Sequence, residues 1–257
     1  MKNKSTLSRK KDNDLNLIKA GRGQGIGKDY QPWLLAHQER GDCTSLRCYS
    51  RLTGRVHHLF TRKDINYFYE LNYDNTITDI REYYALLPRD LTIKLAEKAG
   101  IPFPRYSETK DYKILYFDFV VSRGDKITAI SVLSGDVLND ISEKRIFDIQ
   151  SEYCKYMGWN FETIYKEDIN PVRINNIRRI MSIGGFDENG FTDEMQACFL
   201  NAYFNTDMCA GRIAEMVEER FALPLGAGKE LFYYLLRSRY IILSLDVPLI
   251  FSTKGEF

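Results

Sequence analysis

Three histidines, two tryptophans and five cysteines in 257 residues leave little material for metal chemistry or for a covalent scaffold. The cysteines (Cys43, Cys48, Cys154, Cys198, Cys209) are odd in number, scattered, and never paired as CxxC, so neither a disulfide framework nor a zinc site is signalled. They are expected as free thiols. Long apolar runs are missing too. Tyr240 to Leu245 is far shorter than the roughly 20 residues of a spanning helix, and the N-terminus is basic and polar with no apolar signal core. A soluble, cytoplasmic protein without a membrane partner is the expectation. An excess of one charge is also absent: 36 Lys and Arg oppose 35 Asp and Glu, a formal net charge of +1. Nucleic-acid binding therefore has to rest on local charge. There is no internal repeat. What remains is ordinary globular composition, 44% hydrophobic and 28% charged, long enough for one large or two small domains.

Charge along the chain is uneven. Residues 1–28 carry Lys2, Lys4, Arg9, Lys10, Lys11, Lys19, Arg22 and Lys28 against only Asp12 and Asp14, a basic arm suited to tracking phosphates or simply to a solvated terminus. Gly21 to Tyr30 packs four glycines into seven residues, a loop whose backbone can approach something closely. It is no nucleotide loop, because no apolar strand precedes it and Lys28 is followed by Asp29 instead of Ser or Thr.

Spacing predicts helices over Lys63–Asn72 and Asp90–Ala99, the second opening after Pro88 and closing at Gly100. Tyr112–Ser122 and Lys126–Leu133 are rich in β-branched and aromatic residues and meet at a Ser-Arg-Gly-Asp turn, the pattern of a hairpin. A helix over Leu138–Met157, a strand over Asn160–Tyr165 and a helix over Pro171–Met181 follow. Glycine and turn formers between Ile183 and Gly190 mark a linker. Beyond it, helices over Thr192–Asn205, Asp207–Glu219 and Ala227–Ser238, then strands over Tyr240–Leu245 and Leu249–Ser252, have the order of a winged helix. Trp33, Trp159 and the many Tyr and Phe residues are expected to fill the core.

Three strings in register carry a resemblance: Gly21-Arg-Gly-Gln-Gly-x-Gly-Lys-Asp-Tyr-x-Pro-Trp33, Ser50-Arg-Leu-Thr-Gly-Arg-Val-His-His-Leu59 and Asp79-Ile-Arg-Glu82. Leu86-Leu-Pro88, Asp168-Ile-Asn-Pro171 and Leu225-Gly-x-Gly-Lys229 continue it. Together they resemble the TnsA family, endonuclease subunits of heteromeric cut-and-paste DNA transposases. The resemblance implies an α/β fold: a restriction-endonuclease-like core of mixed sheet flanked by helices, then a winged-helix-like C-terminal domain. The implied division is a basic arm (1–28), a nuclease domain (29–183) and a regulator-binding domain (184–257). It further implies cutting at the 5′ ends of transposon DNA, with a TnsB-type transposase making the 3′ cuts and a TnsC-type AAA+ ATPase binding the C-terminal region.

Nucleases of this kind gather acidic oxygens around Mg²⁺ and set a lysine two residues beyond an acid or amide on the next strand. By resemblance the family's helix glutamate falls on Asp64 and its strand aspartate on Asp118, the candidate metal ligands and catalytic acids. Asp118, set among aromatics in Tyr116-Phe-Asp-Phe-Val120, has no structural motive of its own, since burying an unpaired carboxylate costs several kcal/mol. The family's Gln-x-Lys falls on Ser131 and Leu133, and leucine can neither hold hydroxide nor carry charge. Losing one preorganised stabiliser typically costs about 10²- to 10³-fold in rate, so cleavage is expected to be impaired or lost and Mg²⁺ to bind only if the site still works. Lys63 or Lys144 could supply a relocated lysine and Glu143 or Asp148 another carboxylate, whereas Glu108-Thr-Lys110 stands in the wrong order. Arg22, Lys28, Arg47, Arg51 and Arg55 are candidate contacts to DNA phosphates. His57 and His58 lack metal-ligand spacing and are expected to be structural. Three functions stay open: a structural transposase subunit, a working endonuclease with a rearranged site, and a stand-alone DNA-binding regulator.

Overall fold

A computed structural model describes residues 13–35, 45–182 and 190–251. The chain divides into two compact units, Met1–Ile169 and Asn170–Phe257. Residues 1–12 of the basic arm, His37, Cys43 and the linker at 183–189 lie outside the described residues.

The first unit contains α1 (residues 13–19), a 3₁₀ turn at Gly27–Asp29, β1 (Leu46–Ser50), β2 (Arg55–Leu59), α2 (Arg62–Tyr73), β3 (Asp79–Ala85), α3 (Arg89–Lys98), β4 (Tyr116–Arg123), β5 (Lys126–Leu133), α4 (Ile141–Met157) and β6 (Asn160–Tyr165). β1 and β2 form an antiparallel ribbon. The main sheet runs β3-β4-β5-β6, antiparallel except for the last pair, which is parallel because the chain crosses over through α4. One core cluster packs Ile65, Phe68 and Leu71 of α2 against Ile80, Phe119, Val121, Ile130 and Val132 of the sheet. A second packs Ala96 of α3 and Ile149, Tyr153 and Cys154 of α4 against Phe117, Val120 and Ala129. The unit is thus a mixed α/β sheet flanked by helices, with the predicted helices, hairpin and β6 in place.

Helix ends follow local chemistry. Thr61 caps α2 by accepting from the Asp64 N–H, and Asp140 caps α4 by accepting from Ser142 and Glu143. α4 stops at Gly158, whose φ of 68° suits a left-handed C-terminal residue. The Gly-rich loop does approach something closely, and it is protein: a Cβ on Gly23 would fall 2.6 Å from the Cβ of Ala85 at the end of β3.

The sheet forks at one place. β3 and β4 pair at Glu82↔Phe119 and at Tyr84↔Phe117 but skip Tyr83, whose φ is +47°, and β4–β5 pairing stops at Phe119↔Ile130. Asp118 lies at this fork. Phe117 and Phe119 enter different core clusters although only two residues apart, so the strand's alternation breaks there.

The second unit holds α5 (Pro171–Met181), α6 (Asp193–Asn205), α7 (Ala210–Arg220) and α8 (Ala227–Arg237). Asn170 caps α5 with proline in its first turn. α8 packs on the other three helices through Leu231, Phe232, Leu235 and Leu236. A Cβ on Gly228 would meet the Ala214 carbonyl oxygen at 2.4 Å, so only glycine lets α7 and α8 come this close. Glu218 of α7 accepts from the N–H groups of Gly226 and Gly228 at the start of α8. The two strands expected after α8 do not form: residues 240–251 carry no strand. The buried Asn176 side chain takes their backbone groups instead, donating to the Leu245 and Val247 carbonyls at 2.8 and 2.7 Å and accepting from the Leu249 N–H. Ile241, Leu245 and Leu249 are buried individually.

Candidate active site

The fork at Asp118 opens a cleft of about 360 Å³ lined by Lys63, Lys113, Asp118, Ser131, Leu133, Glu143 and Gln150, with apolar side chains from β4, β5 and α4. Where β4 and β5 part, Asp118 Oδ2 accepts the Val132 N–H at 2.6 Å, replacing a ladder bond with a side-chain bond. The carbonyl of the same residue accepts from the Lys63 ammonium, which reaches across from the first turn of α2. Ser131 donates to Gln150 Oε1 at 3.1 Å, and Gln150 donates on to the Tyr116 carbonyl at 2.7 Å. Strand alternation turns Ser131 and Leu133 to the cleft together, as the sequence implied.

Asp64 sits behind the cleft and does not line it. It is 2% exposed, and its Oδ2 accepts from the Tyr83 hydroxyl at 2.9 Å, which in turn accepts from the Phe60 N–H at the same distance. Burial raises the Asp64 carboxyl. Burial and the charge of Asp64 push Asp118 up to about 7, against the pull of Lys63 and the Val132 N–H. Tyr83 is pushed far above the phenol range by burial and by Asp64, so it stays protonated as a donor. Of the sequence candidates, Lys63, Asp118, Ser131, Leu133 and Glu143 share one cleft, while Lys144 and Asp148 pair with each other at 3.0 Å on an exposed face of α4. Tyr83 and Gln150 were not legible as site residues, because their roles depend on contacts 19 residues away, to Asp64 and Ser131 respectively.

The residues present do not fit a Mg²⁺ site. Magnesium demands near-octahedral oxygen ligands. Here Tyr83 engages one Asp64 oxygen and leaves the other, buried, without a partner, one Asp118 oxygen is spent on Val132, and the two cleft acids are matched by two lysines. Among the described residues, no group of three or more His, Cys, Asp or Glu side chains could hold a metal ion.

The basic candidates divide. Arg22 is buried and donates to the Pro32 and Trp33 carbonyls at 2.8 and 2.6 Å. Arg55 is buried in a bidentate pair with Glu82, at 2.9 and 2.5 Å, with its guanidinium 5.0 Å from the centre of the Tyr30 ring. His57 joins it, its Nδ1 2.8 Å from Glu82 and its Nε2 2.8 Å from Thr53. Burial holds His57 below the imidazole range, so the neutral ring donates to Glu82 and accepts from Thr53. Lys28, Arg47 and Arg51 are exposed, with Lys28 beside Gly54 at the tip of the β1–β2 ribbon.

The fold and the cleft define a class: a mixed α/β protein with a carboxylate and lysine cleft at a sheet fork. No protein-family model matches the chain. Among curated proteins, it is 35% identical over 171 residues to the Transposon Tn7 transposition protein TnsA of Escherichia coli. Over that stretch the chain is similar to TnsA. The overlap takes in 65% of this chain and 61% of that relative, so the chain spans less than two thirds of the protein it matches. No helix among the described residues is long and apolar enough to cross a membrane.

Proposed function

We propose that this chain is a TnsA-like subunit of a heteromeric transposase whose nuclease-derived cleft no longer cuts efficiently and which serves the assembly at the 5′ transposon ends. The observation that carries this reading is Leu133, which lines the cleft beside Asp118 where the family resemblance calls for lysine. A leucine there supplies no charge to a nucleophile or to a pentavalent phosphate. In this reading, residues 29–183 derive from a restriction-endonuclease-like domain, which the mixed sheet and its flanking helices support. Residues 184–257 form a winged-helix-like, regulator-binding domain whose support is the three packed helices α6–α8; the wing itself has no strands. Exposed Leu225, Ile242 and Ile250 give that part apolar surface for a TnsC-type ATPase. Lys28, Arg47 and Arg51 hold phosphates of transposon-end DNA, with a TnsB-type transposase on the same ends.

A working endonuclease with a rearranged site is the second reading, favoured by the lysine that does reach the cleft, Lys63. End-labelled transposon DNA incubated with this chain and its TnsB- and TnsC-type partners, in Mg²⁺ and in Mn²⁺, separates the two. No 5′ cut, with 3′ cutting still dependent on this chain, is the expected result. Specific 5′ cuts abolished by Asp118→Ala would establish the second reading. A pull-down of the ATPase with and without residues 184–257 tests the regulator-binding region, and equal retention would refute it.

A further inference from the structure

Lys63 occupies an unusual place for a lysine. It lies in the first turn of α2, the end of a helix dipole that favours anions. Its side chain is half-buried and turns into the cleft. There its ammonium donates to the Val132 carbonyl while the Val132 N–H donates to Asp118 Oδ2, so one residue of β5 holds a cation on its oxygen and an anion on its nitrogen. Leu133, the next residue, adds no charge to the cleft.

We propose that Lys63 is a tethered counter-cation that replaces the divalent ion of a nuclease cleft, neutralising Asp118 from within so that the cleft binds neither Mg²⁺ nor Mn²⁺. This deepens the transposase-subunit reading and rests on it only for the cleft's descent; the charge arrangement stands on the Val132 peptide, which both groups hold. An ammonium satisfies a carboxylate as a compact point charge. It has no coordination positions to offer a water or a phosphate, so it stabilises the fork without preparing it for hydrolysis. A divalent ion at Asp118 would have to displace this ammonium from a partly enclosed site.

The test needs no DNA and no partner, so it succeeds or fails separately from the cleavage assay. Mn²⁺ is titrated into the full-length chain and followed by its paramagnetic resonance signal, for the wild type, Lys63→Met, Asp118→Asn, and Lys63→Met combined with Asp118→Asn. The wild type should leave Mn²⁺ free, Lys63→Met should bind one ion at least about tenfold more tightly, and the double variant should lose that gain. Stoichiometric Mn²⁺ binding by the wild type that Asp118→Asn removes would overturn the proposal, as would a folded Lys63→Met that binds no better than wild type. Should Lys63→Met fail to fold, melting of the double variant decides: recovery toward the wild-type midpoint supports a charge pair, and no recovery refutes it.

Discussion

Replacing Glu82 by glutamine tests how the ribbon is fastened to the main sheet. The Glu82 carboxylate is fully buried and accepts from both terminal nitrogens of Arg55 at 2.9 and 2.5 Å, from His57 at 2.8 Å and from the His58 N–H at 3.0 Å. Glu82→Gln keeps the shape, removes the charge, and turns an amide NH₂ toward groups that are all donors. Breaking one side of a buried pair costs about 3–5 kcal/mol. A second route agrees. Burial would raise the Glu82 carboxyl, but His57 and Arg55 outweigh it and hold it at about 2, against an ordinary 4.5. Part of that pull is the charge His57 carries only when protonated, so the difference corresponds to at most roughly 3 kcal/mol of stability. Because the folded value is depressed, this stability is complete above about pH 4.5 and disappears as pH falls toward 2. Both tryptophans, Trp33 and Trp159, lie in the first unit, so their fluorescence in a denaturant or thermal melt reports on it alone. The variant should lose about 3–5 kcal/mol at pH 7, a melting shift of roughly 6–20 °C, and the gap to wild type should close below pH 3. Arg55→Met with Glu82→Leu, an apolar replacement of both charges, should lose less than either single change. A Glu82→Gln loss under about 1 kcal/mol, or one that is the same at pH 3, would refute the reasoning.

Further outcomes follow from the second unit and the exposed cations. Gly228→Ala forces a methyl onto the Ala214 carbonyl and should destabilise α7–α8 by about 1–3 kcal/mol, read as earlier hydrogen exchange in both helices. Asn176→Ala strips three hydrogen bonds from Leu245, Val247 and Leu249 and should cost about 1.5–4 kcal/mol, with residues 240–250 becoming the first site of proteolysis. Lys28→Ala, Arg47→Ala and Arg51→Ala should each flatten the plot of log affinity for end DNA against log salt by about 0.9, whatever the sequence bound; an unchanged slope removes that residue from the interface.

Much of the layout was legible because it is written locally. β6 and α5 fell on their predicted residues, since Gly158, Asn170 and Pro171 punctuate the chain there. β3 was not predicted as a strand: Asp79, Arg81 and Glu82 make it look like a solvated segment, and only the distant Arg55 and His57 let Glu82 be buried. The expected wing had the right apolar pattern, but Asn176, some 70 residues earlier, competes for the backbone groups that a hairpin would have paired. At the cleft, the resemblance located Asp118, Ser131 and Leu133. Lys63 and Lys144 were both candidates for a relocated lysine, and only the contacts across the separation of β4 and β5 bring Lys63 to the cleft; nothing gave notice that Tyr83 would donate to Asp64.

That separation bears on how such a cleft can age. Ser131 and Leu133 line the cleft with their side chains, Ser131 bonded to Gln150, and neither side chain holds a backbone group of β4. Asp118 has a second duty: it closes the gap in the ladder by holding the Val132 N–H. A substitution at Ser131 or Leu133 leaves that stitch in place, while loss of the aspartate removes it. An aspartate found at this position in a related chain is therefore, by itself, no record of whether that chain still cuts.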